Sequence, residues 1–389
     1  MKICATVAEY NPLHLGHVKH IDYIKNVLGA EKLIVVMSGN FTQRGEPAVL
    51  NKYQRAKQAI IAGADMVIEL PTVFATSNAE VFAKGAVKII NDLGVVDGLC
   101  FGVESGDKDA YVNLATAMNN ETKEFKKALK EQLESGVSLA KAKFNAVKSL
   151  GGVFDESLIS SPNNVLGLEY VKALQWLKSD INVFPMHREG DHNDKKLKRG
   201  ITSATSIREI LKTGKLLKVK GNVPPYVFKE LVPYPTAFDK MIMTAIVKAS
   251  SKDLEKISDC TEGLENRIKA LAKDSRSVDV LVDKVTTKRY TSSRIRRILI
   301  SNLVGIEDKL VKDSLTTPLY AKVLAVSSDS KELISLISNN GNIPLLTRKS
   351  DASKLKRTAK KCFEVDVLAN DLYNLATNQD FNENYMIIV

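Results

Sequence analysis

Cysteine is scarce in this 389-residue chain: Cys4, Cys100, Cys260 and Cys362 lie far apart and form no Cys-x-x-Cys pair. That spacing argues against both a zinc site and a disulfide framework and leaves buried thiols as the expected role. No apolar run approaches the roughly 20 residues needed to cross a bilayer, so no membrane partner is expected. The chain enters at once into Ile3-Cys4-Ala5-Thr6-Val7-Ala8, without the basic flank and longer apolar stretch of a signal peptide, and the expected location is cytoplasmic. Internal repeats and low-complexity tracts are also missing.

What is present is a composition of 44% apolar and 26% charged residues, as expected of a soluble globular chain long enough for two or three domains. Lysine and arginine exceed aspartate and glutamate by 11, with +4 up to Lys215 and +7 beyond it. Such an excess favours a polyanionic partner, because each neutralised phosphate releases counterions, although a merely basic soluble protein shares the feature.

Leu33 to Met37, Met66 to Leu70, Gly98 to Val103 and Ile181 to Met186 have strand length and are separated by helix-like segments. That alternation predicts βαβ units: an α/β fold with a Rossmann-like parallel sheet covered by helices, its ligands at the carboxyl ends of the strands. Between Asn119 and Leu150, apolar residues three and four apart predict one or two amphipathic helices. Gly221-Asn222-Val223-Pro224-Pro225, then Pro233 and Pro235, mark a boundary. Past it, residues 236 to 312 read as helical, whereas Lys322 to Val326, Glu332 to Ser338 and Ile343 to Thr347 suggest a small β-α-β coda. The expected division is 1–220 catalytic α/β, 221–312 helical and basic, and 313–389 a small α/β region.

Chemistry concentrates after the first strand, in Glu9-Tyr10-Asn11-Pro12-Leu13-His14-Leu15-Gly16-His17 followed by Val18-Lys19-His20, where three of the five histidines fall. A helix starting here offers free N–H groups and a positive dipole end to a phosphate, and Gly16 permits close backbone approach. His14 and His17, three apart, are expected to share a helix face and donate to oxygens of a polyphosphate. Clustered histidines also cap helices or bind metal; the position after the first strand, with glycine between them, favours phosphate.

This segment resembles the His-x-x-His nucleotidyltransferase superfamily, which includes class I aminoacyl-tRNA synthetases and pantetheine-phosphate adenylyltransferase. The superfamily's second signature, a Ser/Thr-rich turn before a helix with a basic residue, is matched by Ile201-Thr202-Ser203-Ala204-Thr205-Ser206-Ile207-Arg208. An ordinary helix cap would look similar.

Further blocks narrow the resemblance. Val7-Ala8-Glu9-Tyr10-Asn11-Pro12, Met37-Ser38-Gly39-Asn40-Phe41, Arg44-Gly45-Glu46-Pro47-Ala48, Ala64 to Pro71, Phe101-Gly102-Val103-Glu104 and Ser161-Pro162-Asn163-Asn164 look like the bacterial tRNA(Met) cytidine acetate ligases. His187-Arg188-Glu189-Gly190, Glu262 to Ile268 and Lys288-Arg289-Tyr290-Thr291 continue the match over about three quarters of the chain. One departure is that Leu13 and Leu15 stand where the family usually has Phe and Asn.

The resemblance implies an enzyme that activates acetate with ATP, releases pyrophosphate, and passes the acetyl group from acetyl-adenylate to N4 of the wobble cytidine of elongator tRNA(Met). It implies His14, His17 and Arg208 as catalytic, with Val7, Ala8, Glu9, Tyr10, Asn11, Pro12, Gly16, His20, Gly102, Asn163, Arg188, Ser203 and Thr205 around ATP. Such chemistry needs donors on the phosphate oxygens and Mg²⁺ on the leaving pyrophosphate, with no acyl-carrying cysteine. No protein metal ligand is assigned: Asp65 and Glu69 are read as structural or as holding water around the metal or acetate-site geometry.

The basic stretch Asp283 to Arg297 carries Lys288, Arg289, Arg294 and Arg297, expected to grip tRNA backbone, with a solvated helix face as the plainer reading. Two other functions fit parts of the sequence. A small-metabolite adenylyltransferase would not need the long basic second half, and a non-catalytic tRNA-binding module would not need His14, Gly16, His17 and Arg208 intact.

Overall fold

In the computed structural model, which describes residues 2–137, 139–188, 200–287 and 289–389, the apolar runs become strands β1 (Ile3–Ala8), β2 (Lys32–Ser38), β3 (Met66–Leu70), β4 (Gly98–Val103) and β5 (Asn182–His187). They pair in parallel in the order β5-β4-β1-β2-β3. The chain steps outward from β1 in one direction through β2 and β3, then crosses back to place β4 on the other side. That reversal opens a crevice beyond the carboxyl ends of β1 and β4, where an open α/β sheet binds its ligands.

Helices α1 (Leu15–Asp22), α2 (Lys52–Ile61), α3 (Thr72–Ala75), α4 (Ala79–Asp92), α5 (Lys108–Asn119), α6 (Lys123–Glu134), α7 (Leu139–Ser149) and α8 (Pro162–Leu177) connect and cover these strands, and α9 (Ala204–Lys212) follows β5. Because helices lie on both faces, the strands are apolar throughout rather than alternating. In β2, Ile34 and Val36 enter one core and Leu33, Val35 and Met37 the other, all fully buried. The four cysteines are free and buried.

The middle of the chain is helical: α10 (Pro225–Phe228), α11 (Ala237–Lys248), α12 (Ser251–Glu255), α13 (Leu264–Ala272), α14 (Val278–Val285), α15 (Ser292–Val304) and α16 (Asp308–Thr316). The last part holds β6 (Ala321–Val326), α17 (Glu332–Asn340), β7 (Leu345–Leu346), α18 (Arg357–Thr377) and β8 (Ile387–Ile388). These strands extend the first sheet: β6 runs antiparallel along β3, and β7 and β8 pair with β6. A buried ionic cluster fastens the join. Glu69 on β3 meets Lys52 at 2.8 Å and Lys322 at 3.1 Å, and Glu383 contacts both lysines while accepting from the Tyr53 hydroxyl at 2.9 Å. Asp65 likewise accepts from Leu33 N–H at 2.7 Å and pairs with Lys25 at 2.9 Å, so both acids act in structural networks.

Candidate active site

The crevice is a cavity of about 280 Å³. It gathers Val7, Ala8, Glu9, Tyr10, Asn11, His14, Gly16, His17, His20, Gly102, Asn163, Arg188, Ser203, Thr205 and Arg208 along one lining, leaving Pro12 buried in the turn behind it. Residues from both ends of a 200-residue stretch therefore meet at the switch point of the sheet.

The two histidines are arranged differently from a shared helix face. His14 precedes α1 as its N-cap, in extended conformation. Its Nδ1 accepts from Gly16 N–H at 3.1 Å, and His17 Nδ1 accepts from His14 N–H at 3.3 Å. This reciprocal cap stacks the rings at 3.7 Å, and Tyr10 meets His17 edge-on at 5.0 Å. Because a backbone N–H only donates, each Nδ1 must be an acceptor, which places the ring hydrogen on Nε2. The cap thus fixes two Nε2–H donors side by side in the crevice. His20, one turn on, lies 3.3 Å from Cys100 Sγ. Burial, reinforced by Arg188, lowers its pKa to about 4, so it serves as a neutral hydrogen-bonding group.

A second helix start faces the first. Ser203 caps α9, its Oγ accepting from Ser206 N–H at 3.1 Å. Arg208, almost fully buried, donates to Asn11 carbonyl at 2.8 Å and Thr205 Oγ1 at 3.3 Å, and its Nε lies 3.6 Å from Glu46. Asn11 is itself held by Val49 N–H, which donates to its Oδ1 at 2.8 Å. Beneath them the buried Arg55 donates to the carbonyls of Glu9 at 2.6 Å, Ser38 at 3.0 Å and Leu50 at 2.9 Å, gathering the ends of β1 and β2. Arg55 was not singled out in the sequence, and Glu46, quoted within the Arg44 to Ala48 block, was given no role: both lie in helix or turn segments whose local pattern carries no sign of these long-range contacts. Lys19, Gln43 and Arg44 also line the crevice and were not assigned roles.

On the β4 side, a Cβ at Gly102 would stand 2.7 Å from Arg188 Cδ, so the missing side chain makes room for that arginine. Asn163 donates to Glu104 at 2.6 Å, and Ser161, not Asn163, caps α8.

Arg289, Arg294 and Arg297 of the basic segment are not among the lining residues. Arg289 pairs bidentately with Glu262 at 2.6 and 3.0 Å, and Arg294 donates to Asp259 carbonyl at 2.8 Å. Arg297 is mostly buried, 3.8 Å from Asp259, and reaches Gln43 carbonyl at 3.4 Å. Lys288 lies outside the described residues.

Two helix N-termini, a fixed histidine pair and a buried arginine around a switch-point crevice define the class: a nucleotidyltransferase of the HIGH type, and the HIGH Nucleotidyl Transferase family model matches residues 1–386. Within that class the chain belongs to the tRNA(Met) cytidine acetate ligase family. It is 36% identical over 416 residues to the tRNA(Met) cytidine acetate ligase of Acetivibrio thermocellus, with both chains covered in full. It is 38% identical over 389 residues to that of Caldanaerobacter subterraneus, covering 97% of this chain and 96% of the relative. Among solved structures, apo Thermotoga maritima TmcAL superposes with a TM-score of 0.94 at 30% identity, and the form bound with alpha-thio ATP with 0.91 at 29%, each over the full length of both chains.

Proposed function

We propose that the chain joins acetate to AMP with release of pyrophosphate and transfers the acetyl group to N4 of the wobble cytidine of elongator tRNA(Met). The observation that carries this is the convergence of the α1 and α9 N-termini, with His14, His17 and Arg208, on one crevice in a chain matched end to end by ligases of that name.

In this reading the Nε2–H groups of His14 and His17 donate to the α-phosphate oxygens and the leaving bridge oxygen as charge builds there. Gly16, where a Cβ would stand 2.9 Å from the His14 ring, lets that imidazole fold over the start of α1, whose positive dipole end faces the triphosphate. Ser203, Thr205 and Arg208 hold the β- and γ-phosphates, and Lys19 and Arg44 add positive charge at the rim. His20, Gly102, Asn163 and Arg188 border the nucleoside. Mg²⁺ would arrive on the triphosphate and neutralise charge on the pyrophosphate. Glu9, the carboxylate among the lining residues, would lie within reach of its hydration shell.

Arg289, Arg294 and Arg297, with Lys288, form the proposed tRNA-docking segment. Because their guanidinium groups are engaged within the chain, RNA phosphate must compete for Arg289 against Glu262, whereas Arg294 and Arg297 act mainly by field. The proposed units remain 1–220, 221–312 and 313–389, in a cytoplasmic enzyme.

The test is pyrophosphate release from ATP with and without acetate, followed by mass spectrometry of tRNA nucleosides. Acetate-dependent release and N4-acetylcytidine are expected. Release that ignores acetate would point to an adenylyltransferase of another acceptor.

A further inference from the structure

The crevice has two unlike halves. On the α1 and α9 side stand the donors and cations already described. Gly102, Met186 and Arg188 border that same side, so a nucleotide held at both helix starts runs along it toward β5. The half between α4 and α8 is different: Phe82, Phe101 and Leu166 line it, and the two phenylalanines are more than nine-tenths buried. Phe101 and Tyr170 pack with ring centroids 5.7 Å apart. The wall stands close because α8 carries Gly167, where a Cβ would come within 2.7 Å of the Phe101 ring.

At the edge of this apolar half, Tyr170 is 5% exposed, and its hydroxyl makes no hydrogen bond among the described residues. Burial, and then the Glu9 carboxylate, raise its pKa, so the phenol stays protonated and can only gain by finding an acceptor. A phenol with a largely buried ring, lining the crevice with no partner for its hydroxyl among the described residues and standing beside an apolar hollow, suits a ligand with one polar end and one small apolar end.

In-line displacement at the α-phosphate places the attacking oxygen opposite the departing pyrophosphate. With the triphosphate held on the α1 and α9 side, the attacker must come from the other half. We propose that the hollow between α4 and α8 is the acyl subsite: Phe82, Phe101 and Leu166 enclose the aliphatic end of a small monocarboxylate, and the Tyr170 hydroxyl donates to a carboxylate oxygen. This rests on the reading that ATP and acetate are the substrates. In the step, one carboxylate oxygen bonds to the α-phosphorus while the bond from that phosphorus to the bridging oxygen breaks, and pyrophosphate leaves with the electron pair. In this proposal the apolar walls set the length of the acid, because a longer chain must fit against Phe82, Phe101 and Leu166.

The measurement is acid-dependent ATP–pyrophosphate exchange without tRNA, comparing acetate with propionate. Leu166→Ala should raise the propionate-to-acetate ratio of kcat/KM by about tenfold or more, the discrimination that one methylene group typically carries in an apolar pocket. Phe82→Leu, a milder change in a more buried wall, should move the ratio the same way. Tyr170→Phe should raise the KM for acetate by about tenfold while leaving the ratio near the parent's, since both acids share the carboxylate. Parent-like ratios in both Leu166→Ala and Phe82→Leu would overturn the subsite. So would a rise in the KM for ATP with no change in acid preference, which would give the rings to the nucleotide. A Tyr170→Phe protein with the parent's acetate KM would remove the hydroxyl from the proposal. If the parent itself showed no exchange with acetate, the functional reading would fall and the subsite with it.

Discussion

At the scale of single residues, the chemistry turns on how the backbone around Gly16 holds the His14 and His17 rings against each other. A cap formed from two imidazoles depends on which residue leaves the helix, and His14 does so by one position. The consequence is a pair of rings whose orientation is set before substrate arrives, the condition under which a hydrogen-bond donor lowers a barrier most. His17→Ala should lower acetate-dependent pyrophosphate exchange by about 10²-fold or more. Near-parent exchange from a folded His17→Ala protein would take His17 out of the mechanism. His20 gives a prediction of another kind. The folded chain holds it neutral down to about pH 4, whereas the unfolded chain protonates it near 6.5. As pH falls through that window the unfolded state binds a proton that the folded state refuses, so stability declines, and the loss is complete below about 4. His20→Gln should therefore lose less stability than the parent between pH 7 and pH 4.5, read as the shift in urea midpoint. Parallel losses in the two proteins would count against it.

Among elements, β2 to β5 were legible because each is a short apolar run that needs cover on both faces, and the pattern is local. The partner of β6 was not legible: its antiparallel place against β3 is fixed by contacts between distant residues, and no periodicity within Ala321 to Val326 encodes them. The same limit hid the contacts of the turn from Thr42 to Glu46, which joins the crevice to the helical region. Gln43 and Arg44 line the crevice, and Glu46 lies between Arg208 and Arg296, at 3.6 and 3.8 Å. The turn sits directly on α15 because position 45 is glycine, with φ +71° and a would-be Cβ only 2.4 Å from Arg296 and Arg297 backbone atoms. Gly45→Ala should destabilise the protein by about 1–3 kcal/mol and slow ATP-dependent exchange, since the clash is with backbone and the turn must move. Gly136→Ala is the control. It has φ +79° and nothing within 4 Å, so it carries the backbone cost without the collision. Equal effects from the two substitutions, by thermal melting and exchange rate, would show that packing on α15 is unimportant.

For the molecule as a whole, the question is what makes the last part of the chain belong to the first sheet. Composition marks a boundary near residues 221 to 225, and nothing in the local sequence reveals that the chain returns to extend the sheet. The return is secured by side chains far apart in sequence: Lys52 and Glu383 are 331 residues apart, yet both are 1% exposed and in contact. Removing one member of such a cluster leaves charges with no water to replace the lost partner, which typically costs about 3–5 kcal/mol. Glu383→Ala strips a contact from Lys52, Lys322 and Tyr53 at once and releases the segment that leads into β8. It should therefore lower the urea midpoint substantially and expose the carboxy-terminal residues to proteolysis. The ion pair between Lys309 and Asp313, at 3.1 Å but with side chains 83% and 45% exposed, provides the contrast. Water and salt already screen it, so Asp313→Ala should leave the midpoint nearly unmoved. If both substitutions shifted the midpoint equally, the buried cluster would not be what fastens the two ends of the chain. If Glu383→Ala alone did so, and proteolysis began beyond α18, the join between β3 and β6 would be identified as dependent on four charges that the sequence keeps apart and the fold brings together.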